Sequence, residues 1–194
     1  GYKFIIVLTG LTNMLRSQTQ ERLDLGFIGK RAILGLPYKK IGVAEDEPFP
    51  KHPNYFTTIT DDFSLRFAAN NHLSFSKGSV SDPIIFVTKK NVKTLDNLAK
   101  WFRSNSPTEQ VEYPLLLIDD EADNASINTA SDPARTTKIN DGIRLILSQF
   151  KKSCYVGYTA TPYANIFIDP LKDKEDLLSM FLFQIKIYMN YLKN

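Results

Sequence analysis

Four short apolar runs recur along this chain, at residues 3–8, 84–88, 114–118 and 154–158, with helix-patterned stretches among the segments between them. That alternation constrains the fold more than any other feature. Short runs rich in Val, Ile, Leu and Phe suit strands buried on both faces, and such strands build parallel sheets covered by helices. Residues 11–25 read as a helix with Leu11, Leu15 and Leu23 on its inner side and Thr12 or Asn13 as its cap. Residues 91–102 place Val92, Leu95, Leu98 or Ala99, and Phe102 at helical spacing; residues 139–150 do so with Ile139, Ile143, Ile146, Leu147 and Phe150. The expected fold is therefore α/β, a mainly parallel sheet of about four or five strands flanked by helices.

The expected organisation is one domain over residues 1–170 and an apolar helical tail over 171–194 containing Phe181, Phe183, Tyr188 and Tyr191. A loop-rich insertion occupies about 26–82, punctuated by Gly26, Gly29, Gly35, Pro37, Gly42, Pro48, Pro50 and Pro53. Short strands are expected within it at 32–36 and 55–59, and Asp61 and Asp62 can cap a short helix running to Asn70. The tail packs on the sheet or offers a surface to a partner. The chain starts at Gly1 and enters a strand almost at once, as a piece of a longer protein would.

A chain of 194 residues buries enough surface to fold without covalent staples. The single cysteine, Cys154, excludes an internal disulfide framework and any multi-cysteine metal site. His52 and His72 are too few for a histidine-rich metal centre. The net charge of +3 is too small to argue for nucleic acid alone, so that case rests on local clusters. No stretch has the length of a membrane span and no signal peptide opens the chain, so a cytoplasmic protein is expected.

Parallel sheets bind ligands beyond the carboxyl ends of their strands. The residues there are Thr9 and Gly10; Thr88, Lys89, Lys90 and Asn91; Asp119 to Asp123; and Thr159 to Pro162. The third group is the sharpest. An apolar strand that delivers Asp and then Glu suits a nucleotide-hydrolysing site, where Asp120 holds Mg²⁺ and Glu121 orients or deprotonates the attacking water. The plainer alternative is an acidic loop after a buried strand. One strand later, Gly157 to Pro162 brings small and hydroxyl residues past the acids, and Thr159 or Thr161 can bond Asp123 or Glu121.

Asp120, Glu121, Ala122 and Asp123 followed by Thr159, Ala160, Thr161 and Pro162 resemble two motifs of superfamily-two helicases, whose motor is a pair of RecA-like domains. Residues 119–129, Ile139 with Asn140, Ile143 with Arg144, and residues 155–170 resemble the Z-one domain family more closely. Val7 to Gly10, Leu15 with Arg16, Gln18 with Thr19, and Val87 with Lys89, Lys90 and Asn91 fit the same family. The similarity covers about residues 3–170 with gaps and is strongest over 114–170. Its members are bacterial and viral proteins labelled endonucleases and linked to helicase-type ATPase modules and to restriction or defence loci.

The resemblance implies a RecA-like, phosphate-loop-NTPase-type first lobe and an NTP- and Mg²⁺-linked, DNA-processing hydrolase. It implies Asp120 as the metal residue, Glu121 as its catalytic neighbour, and Asp123, Thr159 and Thr161 as the coupling to nucleic acid. Thr9, Arg16, Gln18, Arg22, Lys89 and Lys90 are the expected contacts to sugar and phosphate, since hydroxyl, amide and cationic groups bind backbones without reading bases. DNA is the expected partner, with a second helicase lobe or partner subunit. A solvated helix face and ordinary surface lysines are the plain alternatives. Lys151 and Lys152 read as a helix C-terminus complementing the dipole.

The departures matter equally. The family's phosphate-binding loop is missing: Gly26, Gly29, Lys30 and Arg31 lack the glycine spacing and the hydroxyl residue after lysine. Without those backbone amides, tight ATP binding is difficult. Two rival functions follow: a degenerate nucleic-acid-binding or interaction module without turnover, and an ATP-independent metal nuclease using Asp119, Asp120 and Asp123. No separate nuclease motif supports the second, because Val87 stands where a further acid would follow Asp82, and His52, Asn70, Asn71 and His72 are too sparse for a histidine–asparagine–histidine site.

Overall fold

A computed structural model of the chain describes residues 1–31, 39–44, 53–70, 75, 78–106, 110–122 and 138–158. Its centre is a five-stranded, all-parallel sheet in the order β4 (Asn54–Tyr55), β5 (Ile84–Lys89), β1 (Phe4–Thr9), β6 (Leu115–Asp120), β7 (Ser153–Tyr158). The long strands are β1, β5, β6 and β7, one for each apolar run. The edge strand β4 lies inside the insertion, so part of that segment belongs to the sheet. Two further short strands, β2 (Lys30–Arg31) and β3 (Lys39–Lys40), pair antiparallel by themselves. The strand expected at 32–36 and the tail at 171–194 lie outside the described residues.

Helices cover both faces. Helix α3 (Val92–Asn105), capped by Asn91 accepting from the Thr94 amide, and α4 (Lys138–Ser148) share one face. There Leu95, Leu98, Trp101, Phe102, Ile143 and Ile146 pack on Phe4, Ile6, Leu8, Phe86, Leu115 and Leu117. A short helix α2 (Leu65–Asn70) adds Ala68 to this cluster. Aromatic rings dominate it, with Phe4 edge-on to Phe75, Phe102 and Phe150 at centroid separations of 5.3, 5.4 and 5.7 Å.

The opposite face carries α1 (Asn13–Leu23), continued by a π-helical turn, Asp24–Ile28. Its apolar contribution is small: Ile28 and Leu23 meet Val7, Ile85 and Val87. Thr12 caps α1 by accepting from the Leu15 amide. The helix is rolled away from the sequence expectation: Leu11 and Leu15 are exposed and Arg16, Gln20 and Asp24 are buried, while Leu23 packs inward as expected. The reason is a set of polar bonds. The Gln20 amide donates to Asp24 (2.9 Å), Thr57 donates to Gln20 (2.8 Å), and the Val87 amide donates to Thr57 (2.8 Å). Satisfied polar groups settle this rotation where apolar periodicity predicts the other one.

Gly29 ends the π-helical turn in the left-handed region (φ 71°), donating its amide to the Asp24 carbonyl. Gly29 and Lys30 therefore sit at a helix C-terminus, where carbonyls rather than amides are directed outward. That polarity is wrong for cradling phosphate, in line with the sequence argument against a phosphate loop here.

Candidate functional site

The connections leaving the strands define a crevice. β1 runs into α1 on one face, whereas its two neighbours, β5 and β6, are followed by α3 and α4 on the other. Neighbouring strands whose connections part to opposite faces open a cleft at their carboxyl ends, the usual ligand position in such sheets. The acidic end of β6 lies beside β1, paired through Leu8 and Asp119.

The three consecutive acids there have different environments. Asp119 shares the strand parity of Leu115 and Leu117, so it faces the aromatic core and is fully buried. Its Oδ1 lies 2.7 Å from Lys90 Nζ, as an ion pair rather than an aligned hydrogen bond, and Tyr155 donates its hydroxyl to Oδ2 at 2.8 Å. Burial first, and the Asp119 charge second, push the Tyr155 phenol above its ordinary pKa, so it remains a donor. Asp120 and Glu121, in contrast, are exposed.

Glu121 adopts φ 57°, a left-handed conformation that is uncommon for a residue with a Cβ. Several contacts hold the turn. Lys90 donates to the carbonyls of Asp120 (3.1 Å) and Glu121 (2.7 Å). The Ala122 amide donates to the Tyr158 carbonyl at 2.8 Å. Ala122 is buried over Gly157, where an added Cβ would lie 2.9 Å from the Ala122 Cβ. The Glu121 carboxylate leans across β1, since a Cβ on Gly10 would fall 3.2 Å from its Oε2. Two exposed carboxylates thus emerge at the crevice from a turn fastened underneath.

Asp123, Thr159 and Thr161 lie outside the described residues. The strands that lead to them are adjacent, with Asp120 opposite Tyr158 in the parallel register. Gln18 and Arg22 are exposed on α1. Lys89 is half-buried, its Nζ 3.9 Å from Asp62. Asp62 also accepts from the Thr88 hydroxyl (2.6 Å) and the Phe63 amide (2.7 Å).

Three of the residues expected at phosphates sit inside instead. Thr9 is buried and lies within donating distance (3.3 Å) of the Thr88 carbonyl, bridging β1 and β5. Arg16 is 2% exposed and donates to the carbonyls of Thr58 (2.9 Å), Val87 (3.3 Å) and Ile59. Lys90 is likewise 2% exposed and serves the acidic turn. The physical reason is common to all three: buried carbonyls and a buried carboxylate need donors, and these side chains supply them. The sequence reading places Lys90 at phosphates, whereas strand alternation carries the signal for its buried role. Phe86 faces the aromatic core, and two steps of two along β5 bring the same parity to Lys90.

Among the described residues, no group of three or more His, Cys, Asp or Glu side chains could hold a metal ion. Asp120 and Glu121 nevertheless fit Mg²⁺, which commonly takes one or two carboxylates and draws its remaining ligands from water and phosphate. Asp119 does not fit, because Lys90 and Tyr155 occupy its two oxygens. No helix among the described residues is long and apolar enough to cross a membrane. Compared with family models, curated proteins and solved structures, the chain finds no match in any of the three.

Proposed function

We propose that this chain is a RecA-like, helicase-type lobe of an NTP- and Mg²⁺-linked DNA-processing hydrolase, of the Z-one kind, acting in the cytoplasm in restriction or defence. The observation that carries this reading is the exposed Asp120–Glu121 pair at the crevice beside β1. In the proposed site Asp120 would hold Mg²⁺, which would neutralise phosphate charge, and Glu121 would orient the attacking water. Gln18, Arg22 and Lys89 retain accessible polar groups for a DNA backbone. A second lobe or partner subunit would complete the nucleotide cradle.

The arrangement gives less support to a metal nuclease built on Asp119, Asp120 and Asp123. Asp119 would have to abandon a buried ion pair to reach a metal. A module without turnover has firmer support, because the Gly29–Lys30 turn presents carbonyls where a phosphate loop would present amides. ATP hydrolysis measured with and without DNA separates the readings. Hydrolysis stimulated by DNA and abolished by Asp120→Ala is the expected result. Mg²⁺-dependent cleavage without ATP would favour the nuclease, and inactivity in both assays the module.

A further inference from the structure

We infer that Lys90 is the positioning residue of the acidic turn, holding Asp120 and Glu121 so that both carboxylates face the crevice together. The inference rests on the functional reading above. Lys90 follows β5, yet its ammonium reaches past β1 to the end of β6. Its own amide donates to the Thr9 carbonyl at 3.1 Å, which fixes where the side chain starts. Its Nζ then contacts Asp119 Oδ1 and the carbonyls of Asp120 and Glu121, at 2.7, 3.1 and 2.7 Å.

The carbonyl contacts bear on conformation. A left-handed Glu121 is disfavoured by its own Cβ and persists because its surroundings over-determine it. A cation beneath two consecutive carbonyls favours the backbone that directs both towards it. Asp119 supplies the compensating charge that lets the cation stay buried, and Tyr155 orients Asp119. The chain Tyr155–Asp119–Lys90 therefore sets the turn from below and leaves the Asp120 and Glu121 side chains outside. Lys90 touches no reacting atom.

The test uses the full chain carrying Lys90→Met together with Asp119→Asn, which removes both buried charges, so that neither is left unpaired, and takes away the donor to the Asp120 and Glu121 carbonyls. Two readouts are needed. The three-bond amide–Hα coupling of Glu121 reports its φ, and Mn²⁺ broadening of the Asp120 and Glu121 amides reports metal affinity. The expected result is a changed Glu121 coupling and about tenfold weaker Mn²⁺ binding, with unchanged amide shifts in β4. For DNA-stimulated ATP hydrolysis, a fall in kcat with KM for ATP held is expected. Lys90→Arg, which keeps a cation in place, should restore Mn²⁺ affinity to within a few-fold of the unmodified chain.

An unchanged coupling and an unchanged Mn²⁺ affinity in the double variant would overturn the inference. If the double variant fails to fold, the unmodified protein still decides. Lysine ammonium NMR should then show Lys90 protected from exchange and scalar-coupled to the carbonyl carbons of Asp120 and Glu121, and absence of both signatures would refute the assignment. Failure of the unmodified chain to bind Mn²⁺ would count against the functional reading, while the Glu121 coupling would still rule on Lys90.

Discussion

Arg16 and Lys90 are long cations that end inside the protein, and each illustrates how a buried polar group must be satisfied in full. Arg16 donates to three carbonyls contributed by two other segments. Burial lowers its pKa, opposed by Asp62, Asp61 and Asp24. Arg16→Met would strand those carbonyls, so a loss of roughly 2–3 kcal/mol in unfolding free energy is expected from urea titration. DNA affinity of the folded fraction should be unchanged, which separates this role from a phosphate contact.

Asp24 makes the converse case. Burial raises its pKa from 3.8 to about 6, outweighing the Gln20 hydrogen bond and the Arg31 charge, which act to lower it. The folded state therefore binds the proton more tightly than the unfolded chain. The associated stabilisation is present in full below pH 3.8 and is lost as pH rises through about 6. Asp24→Asn should consequently stabilise the protein at pH 7.5 by on the order of 2 kcal/mol, a gain that shrinks towards pH 4. Urea unfolding across that range measures it; a gain that grew on acidification would contradict the assignment.

At the level of elements, the four long strands were legible because each is a short apolar run bounded by polar or turn residues. Helices α3 and α4 were legible because their apolar residues recur at helical spacing. The rotation of α1 was not. Its deciding partners, Thr57, Thr58 and Val87, lie some 40 to 70 residues away in sequence, beyond the reach of local periodicity. The site divides similarly. Asp120 and Glu121 were readable from the strand that delivers them, whereas the Lys90–Asp119 pair depends on two strands meeting across β1.

One close approach between elements gives a further prediction. Helices α3 and α4 meet at Gly142, where an added Cβ would lie 2.9 Å from the Leu95 Cβ. Gly142→Val is expected to force the two helices apart and to cost roughly 1–3 kcal/mol. A thermal melt should show the loss. An unaltered melting temperature in Gly142→Val would mean that the helices separate freely.

Across the whole molecule the two ends of the sheet differ. Aromatic rings of Phe4, Phe75, Phe102 and Phe150 gather near the amino end of β1. Buried Lys90, Asp119, Thr9 and Thr88 lie towards the carboxyl end. β1 is flanked by β5 and β6 through nearly its whole length. Native-state hydrogen exchange should therefore be slowest at Ile6 and Val7 and faster in β4, which pairs through two residues only. Equal protection of β4 and β1 would show a sheet that opens as a single unit.

The polar seating of α1 has a mechanical consequence. An oily contact tolerates rolling and sliding, because one methyl group replaces another at little cost. A contact keyed by Arg16, Gln20 and Asp24 has one fitting position, and a quarter-turn or a one-residue slip would unseat every key at once. The outward residues Gln18 and Arg22 therefore keep a constant bearing relative to the sheet, like marks on a bolted rather than a greased shaft.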